Sequence, residues 1–408
     1  MKRLYTPFKV NQLELKNRVI MSPMSVGHTV DGFIMDDVVE FYRRRALGGV
    51  GLIIFANMQW DKVRYNPNHG AMLTYEKYIP SLKKLTDAIH EGGSKVFAQL
   101  MHRGRCANRA SIQGEQAVAP SPIPGRFTHF EMPKELTVEE IKQFVDWQAH
   151  AAVIAKKAGF DGIEIETNSG YLYGQFFSPL TNHRTDEYGG SLDNRMRFMR
   201  MCLEEVMNAA AATGTSVLVK HNMYDGFKGG IEIPESIEIA REIERWKVNG
   251  IVLSGGFVSK APMAVMRGLI PIYTMSYYSP LWLRAFIRYC GPFMIRQFPF
   301  SECYFLEDAK KFREALQLPL IYVGGLVSRE GIERALDSGF ELVQMARALV
   351  NDPAFVNKLR EGDAATRSEC DHRNYCIARM YSIEMACHKH IQNLPKSIVK
   401  EIEKLEYK

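Results

Sequence analysis

Residues 162–172 read GIEIETNSGYL, a short buried strand from Gly162 to Glu166 that runs out into a loop carrying Tyr171. Glu166 and Ser169 sit where that strand ends. Seven other short apolar runs end in small or polar residues in the same way. They are RVIMSP (18–23), GLIIFA (51–56), KVFAQL (95–100), SVLVKHN (216–222), GIVLSGG (250–256), LIYVGG (320–325) and ELVQMA (341–346). Continuous apolar runs suit strands covered on both faces, as in a parallel sheet.

Between these runs the patterning turns helical. Thr137 followed by Glu140 is a capping box, after which Ile141, Phe144, Gln148, Ala152 and Ala155 share one mostly apolar face. Similar patterns run near 36–48, 78–91, 191–212, 234–247, 306–316, 329–338 and 352–361. Eight strands alternating with helices predict an α/β fold, a (β/α)8 TIM barrel. An open doubly wound sheet is the alternative, and no GxGxxG follows the first strand to support it. In a barrel, chemistry sits at the carboxyl ends of the strands, which is where every polar residue singled out below falls.

The barrel is expected to occupy residues 1–361. Within it, residues 257–305 form a long insertion after strand six, rich in Met, Tyr, Phe and Pro. Such length marks a lid, a binding loop or an interface. Residues 362–408 form a tail containing Cys370, Cys376 and Cys387.

Of the 408 residues, 46% are hydrophobic and 24% charged, a globular composition. The net charge is +6, but Lys and Arg are dispersed, which argues against nucleic acid. The amino terminus lacks the apolar core of a signal peptide, and no run reaches the roughly 18 apolar residues of a membrane span. A cytoplasmic protein acting on a small molecule, without a membrane partner, is expected, with a homo-oligomer as one use of the aromatic insertion. Seven cysteines, four of them far apart, provide no disulfide framework.

Gly324 and Gly325 after strand seven, with Ala346 and Arg347 after strand eight, are the cofactor signal that physics alone provides. These two barrel loops often hold a phosphate. Glycines let backbone N–H groups approach the anion, and Arg347 can add charge-assisted hydrogen bonds. The alternative is a plain chain turn beside a solvent-facing arginine.

SPLTNHRTDEYGGSLDNRMRF (178–198), DGFIMDDVVEFYRRRALGGVGLII (31–54), QLMHRGR (99–105), VGGL (323–326) and MARALVNDP (345–353) together resemble the Old Yellow Enzyme family of FMN-dependent oxidoreductases. The resemblance is greatest to the branch whose barrel also occurs in reductases of the dienoyl-CoA reductase kind. It implies FMN in the barrel mouth and NAD(P)H as electron donor. Pro23, Met24, Ser25 and Ala56 would lie along the flavin ring, with Gln99 on its pyrimidine edge. Lys220 would face the N1–C2 carbonyl, where a cation stabilises reduced flavin. Gly324, Gly325, Ala346 and Arg347 would hold the phosphate.

The family usually carries His, two residues, then His or Asn, then Gly-Tyr. The two polar rings donate to the substrate carbonyl, and the tyrosine protonates carbon. Here the matching residues are Glu166, Thr167, Asn168, Ser169, Gly170 and Tyr171. Tyr171 is kept as proton donor, while Glu166 and Ser169 replace the ring pair. An ionised carboxylate is acceptor-only and opposes the negative charge that grows on an enone oxygen. Glu166 must therefore be protonated, point elsewhere, or meet a substrate that presents donors, such as a linear tetrapyrrole or an amine.

In the tail, relatives of the iron–sulfur branch place a further Cys where Arg373 stands. Four thiolates normally hold a [4Fe-4S] cluster, and the spacing fits no common zinc motif. A packing or docking segment without metal is expected. Three functions follow: an NAD(P)H-linked reductase of activated C=C bonds, an FMN-dependent amine oxidase or demethylase, and a non-catalytic flavin or tetrapyrrole binding protein.

Overall fold

The computed structural model describes residues 3–26, 29–125, 131–258, 262–363, 365–379 and 385–406. Small parts of the predicted insertion (259–261) and tail (364, 380–384, 407–408) lie outside the described residues. Eight parallel strands close into a barrel, labelled β1 (Val19–Met21), β2 (Leu52–Met58), β3 (Lys95–Leu100), β4 (Gly162–Glu166), β5 (Ser216–Asn222), β6 (Gly250–Ser254), β7 (Leu320–Val323) and β8 (Leu342–Met345). Each coincides with one of the eight apolar runs, and β8 pairs with β1 to complete the ring.

Side chains alternate across a strand, so every second residue points into the barrel. Ile20, Leu52, Ile54, Phe97, Leu218, Val252, Ile321 and Leu342 form one buried apolar layer. A hairpin, Phe8–Val10 with Leu13–Leu15, plugs that layer with Val10 and Leu15. The Ser216 hydroxyl at the start of β5 donates to the Val10 carbonyl at 3.0 Å, which fixes the plug at the amino end of the strands. Asn11 makes the tight turn with φ 56°, in the left-handed region that Asn tolerates.

The same alternation puts Glu164 and Glu166 on one face, pointing inward. Here the interior departs from the apolar runs seen in the sequence. Gln99, Glu164, Lys220 and Gln344 are all buried and form a polar layer toward the carboxyl ends of the strands. Outside the strands, helices bury one face each. Helix Val138–Lys157 carries the expected capping box, with Thr137 Oγ1 accepting from the Glu140 N–H at 3.2 Å and Glu140 accepting from the Thr137 N–H at 3.0 Å. Its residues Ile141, Phe144, Gln148, Ala152 and Ala155 are buried, and the Tyr173 hydroxyl donates to Gln148 Oε1.

The insertion and the tail read as separate segments in the sequence, but they pack together. Insertion helices Ile272–Tyr277 and Leu281–Met294 pack against each other. Tyr375, Ile398 and Ile402 of the tail build a small core with Tyr273, Tyr277 and Tyr278. The Glu401 carboxylate accepts from the backbone N–H groups of Tyr273 and Thr274, at 2.6 and 2.8 Å, and from the Thr274 hydroxyl at 2.6 Å. These donors belong to the start of a helix, where a carboxylate is favoured. No helix among the described residues is long and apolar enough to cross a membrane.

Candidate active site

At the carboxyl ends of the strands lies a cavity of about 220 Å³. Every residue assigned in the sequence to catalysis or flavin binding lines it. Pro23, Met24 and Ser25 follow β1, and Ala56 and Gln99 lie toward the carboxyl ends of β2 and β3. Glu166 ends β4 and Lys220 lies in β5. Ser169 and Tyr171 occupy the loop after β4, Gly324 and Gly325 follow β7, and Ala346 and Arg347 follow β8.

The loop after β4 is held from several sides. Ser169 and Gly170 take φ of 62° and 71°. The Ser169 N–H donates to Asn222 Oδ1 at 3.3 Å, and its carbonyl accepts from the Val258 N–H at 2.9 Å. A Cβ at position 170 would stand 2.5 Å from the Phe257 ring, so only glycine fits. Gln175 Nε2 donates to the carbonyls of Gly170 and Arg103, which ties this loop to the one after β3. Tyr171 and Arg103 thereby share one wall of the cavity.

The polar layer is a connected network. Lys220 Nζ donates to Gln344 Oε1 at 3.0 Å and to Ser22 Oγ at 3.3 Å. Gln99 Nε2 donates to Glu164 Oε1 at 2.8 Å. Glu166 lies beside Lys220 in strand register and is 8% exposed. Its carboxyl has no hydrogen-bond partner among the described residues. Burial raises its pKa to about 8, opposed by Lys220, assisted by Glu164 and opposed again by Arg103. Burial raises Glu164 as well, against Lys220 and the Gln99 hydrogen bond. Burial lowers Lys220, against the pull of both glutamates. Desolvation outweighs Coulomb attraction here because each charge is cut off from water. Burial therefore favours the neutral form of the Glu166 carboxyl, which can donate as well as accept.

The residues toward β7 and β8 suit a phosphate monoester. The backbone N–H groups of Gly324 and Gly325 donate to no backbone carbonyl among the described residues. Their φ angles are 141° and 73°, and added Cβ atoms would meet Phe305 at 2.9 Å and Tyr304 at 2.7 Å. Arg347 Nη1 donates to the Arg267 carbonyl at 2.7 Å and to Asn374 Oδ1 at 2.6 Å. Both acceptors are neutral, and no carboxylate among the described residues pairs with Arg347. A cation not neutralised by the protein, beside bare N–H groups, fits the FMN phosphate. The ring would then reach toward Lys220, Gln99 and the 23–25 segment.

Among the lining residues that sequence reasoning missed are the polar Ser22, Arg103, Gln344 and His372. The period of two in β1 and β8 marks Ser22 and Gln344 as inward-facing; no local signal marks Arg103 or His372. In the tail, burial raises the pKa of Cys376 to about 12 and also raises that of Cys370, so both are thiols. Cys376 packs with Val350 and Met385 beside Met24. No group of three His, Cys, Asp or Glu residues suited to a metal occurs among the described residues.

Comparison with known proteins agrees with the barrel fold. The model of the NADH:flavin oxidoreductase / NADH oxidase family matches residues 3–262. A 4,4'-dithiodibutanoate disulfide reductase of Rhodococcus erythropolis is 32% identical over 385 residues, 93% of each chain. A metal reductase of Desulforamulus reducens is 36% identical over 362 residues, and the match covers 88% of this chain but 49% of that longer protein. A structure of 2-naphthoyl-CoA reductase with 2-naphthoyl-CoA matches in fold with TM-score 0.77 at 23% identity, covering 99% of this chain and 58% of that one. A barrel mouth suited to FMN, a family match across most of the barrel and a relative aligned along nearly the whole chain identify this protein as a member of the NADH:flavin oxidoreductase / NADH oxidase family, the Old Yellow Enzyme family of FMN-dependent, NAD(P)H-linked reductases.

Proposed function

We propose that this reductase acts on an activated C=C bond in a substrate presenting a lactam or pyrrole N–H, with linear tetrapyrroles as the class that fits. When bound, FMN supplies the hydride relay between NAD(P)H and substrate. The observation that carries the reading is Glu166: a buried carboxyl facing the cavity, without a protein partner among the described residues, and neutral up to about pH 8. A neutral carboxylic acid both donates and accepts. It can therefore pair with the adjacent N–H and C=O of a lactam through two hydrogen bonds. Its donor polarises the conjugated carbonyl, as the usual ring pair does for an enone. Ser169 offers one further hydroxyl on the same wall. Tyr171, which keeps its proton at neutral pH, delivers that proton to carbon.

A simple enone lacks the N–H and uses only half of this arrangement. An alkylamine would require ionised Glu166, which burial opposes. The test is anaerobic. The holoenzyme is bleached with NADH or NADPH, then mixed with bilirubin, cyclohexenone or no acceptor. Fast reoxidation by bilirubin alone supports the proposal; equal or faster reoxidation by cyclohexenone defeats it. Bleaching by a secondary amine without nicotinamide would favour the amine oxidase.

A further inference from the structure

Among the described residues, the cavity is lined by the cations Lys220, Arg347 and Arg103. Two of them are committed. Lys220 donates to Gln344 and Ser22 and would face the N1–C2 edge of FMN. Arg347, beside the bare N–H groups of Gly324 and Gly325, would hold the phosphate. Arg103 is left over. It is half-buried, and its guanidinium meets no acceptor among the described residues. Its charge bears on Glu166, but burial favours the neutral form of that acid, so no counter-charge answers it. We propose that Arg103 anchors a carboxylate carried by the substrate and makes the enzyme selective for acids over their esters and amides. The proposal rests on the reading that the substrate lies between Glu166 and Tyr171, and it adds the charge that the substrate carries.

The residues on either side of Arg103 are bound to protein. His102 Nδ1 accepts from the Gly104 N–H at 3.0 Å, so its Nε2 carries the proton and donates to Asp61 Oδ2 at 3.0 Å. The His102 carbonyl accepts from the Leu172 N–H at 3.0 Å. Arg105 Nη1 donates to the carbonyls of Ile123 and Pro124 at 3.2 and 3.3 Å. Gly104 takes a φ of 56°, and a Cβ there would strike Gln175. The same Gln175 holds the Arg103 carbonyl at 3.0 Å. A cation on a backbone fixed in this way loses little freedom when a ligand arrives.

The backbone also decides between a carboxylate and a phosphate. At the phosphate end, glycine N–H groups are free to join the arginine. Next to Arg103 they are spent. The Gly104 N–H goes to His102 and the Arg105 N–H to Gln175 Oε1 at 3.0 Å. The N–H groups of Cys106 and Ala107 go to the carbonyls of Arg103 and Gly104, each at 3.1 Å. What remains is one planar fork, which matches a carboxylate through two parallel hydrogen bonds. The pyrophosphate of NAD(P)H would find a single cation there and no backbone donor.

The experiment compares holoenzyme of wild type, Arg103→Gln and Arg103→Lys, with FMN content and circular dichroism verifying each fold. Oxidised enzyme is first titrated with benzoate and with benzamide, followed by the flavin spectrum. Wild type should bind benzoate at least about tenfold more tightly, the scale of a charge-assisted pair. Arg103→Gln should bring that ratio to about one, and Arg103→Lys, which keeps the charge without the fork, should restore part of it. NADPH-reduced enzyme is then mixed with bilirubin or its dimethyl ester. Faster reoxidation by the diacid, lost in Arg103→Gln, supports the anchor on the substrate itself. Reoxidation by neither pigment, with the benzoate preference intact, removes the tetrapyrrole reading and supports the anchor alone. Equal affinity of wild type for benzoate and benzamide overturns the anchor, as does a preference that survives Arg103→Gln. A larger loss of affinity for NADPH than for benzoate in Arg103→Gln assigns the cation to the nucleotide and overturns it as well.

Discussion

Replacing Glu166 by Gln should stabilise the flavin-stripped protein, and more strongly as pH rises. In the unfolded chain this carboxyl ionises near 4.5; in the fold, burial holds its proton to about pH 8. Below pH 4.5 both states are protonated and the residue has no effect on stability. Between 4.5 and 8 the unfolded chain has released the proton while the native state keeps it. Stability then falls as pH rises, by about 1.4 kcal/mol for each pH step of one. At pH 7 the deficit is about 3 kcal/mol. Gln is nearly isosteric with the neutral acid and cannot ionise, so Glu166→Gln removes that deficit. With an unfolding entropy of about 2.1 cal/mol/K per residue, a chain of 408 residues should gain about 4 °C in Tm at pH 7 and nothing measurable at pH 4.5. Thermal melts of both proteins at half-unit steps from pH 4.5 to 8.5 provide the check. A difference in Tm that stays constant with pH, or widens toward acid, refutes a buried neutral carboxyl. The catalytic counterpart is a fall in turnover of the N–H substrate as pH passes about 8 in wild type, absent in the variant.

Other consequences are equally direct. Tyr171→Phe should leave flavin reduction by NAD(P)H intact but slow reoxidation by the unsaturated substrate about 10²-fold or more, the usual scale of a lost general acid, as stopped-flow half-reactions would reveal. Gly324→Ala forces a Cβ to 2.9 Å from Phe305 at a φ of 141°; FMN retained after purification should fall at least tenfold, read from the 450 nm absorbance. Lys220→Met removes the cation shared by Gln344 and Ser22 and should lower the flavin midpoint potential, measured against redox dyes. Glu401→Ala strips three hydrogen bonds from the start of helix Ile272–Tyr277. At roughly 1.5–3 kcal/mol for each bond to a charged group, trypsin should cut at Arg284 or Arg288 markedly faster than in wild type.

Most of the barrel was legible because each strand is a short apolar run bounded by polar or glycine residues, and a strand buried on both faces has no other way to be written. The cavity lining was legible for a related reason: in a barrel, residues just past a strand's end converge regardless of their separation in sequence. Glu166 and Ser169, at the end of β4 and in the loop after it, were likewise legible as cavity residues. Less was readable in the interior. GIEIE looks like one more apolar strand, yet Glu164 is completely buried and accepts from Gln99, 65 residues earlier. Nothing local shows that such a carboxylate has partners. The union of insertion and tail was equally hidden, because Glu401 meets Thr274 across 127 residues.

By itself the sequence determined the alternation of strands and helices, the strand ends that line the cavity, and the presence of Glu166 and Ser169 at one of them. These are local properties, set by periodicity and by which residue occupies which position. The tertiary structure alone decided the burial of Glu166 beside Lys220, the partners of Arg347, and the joining of insertion to tail. Each depends on the removal of water and on neighbours brought in from distant parts of the chain, and both exist only once the barrel has closed.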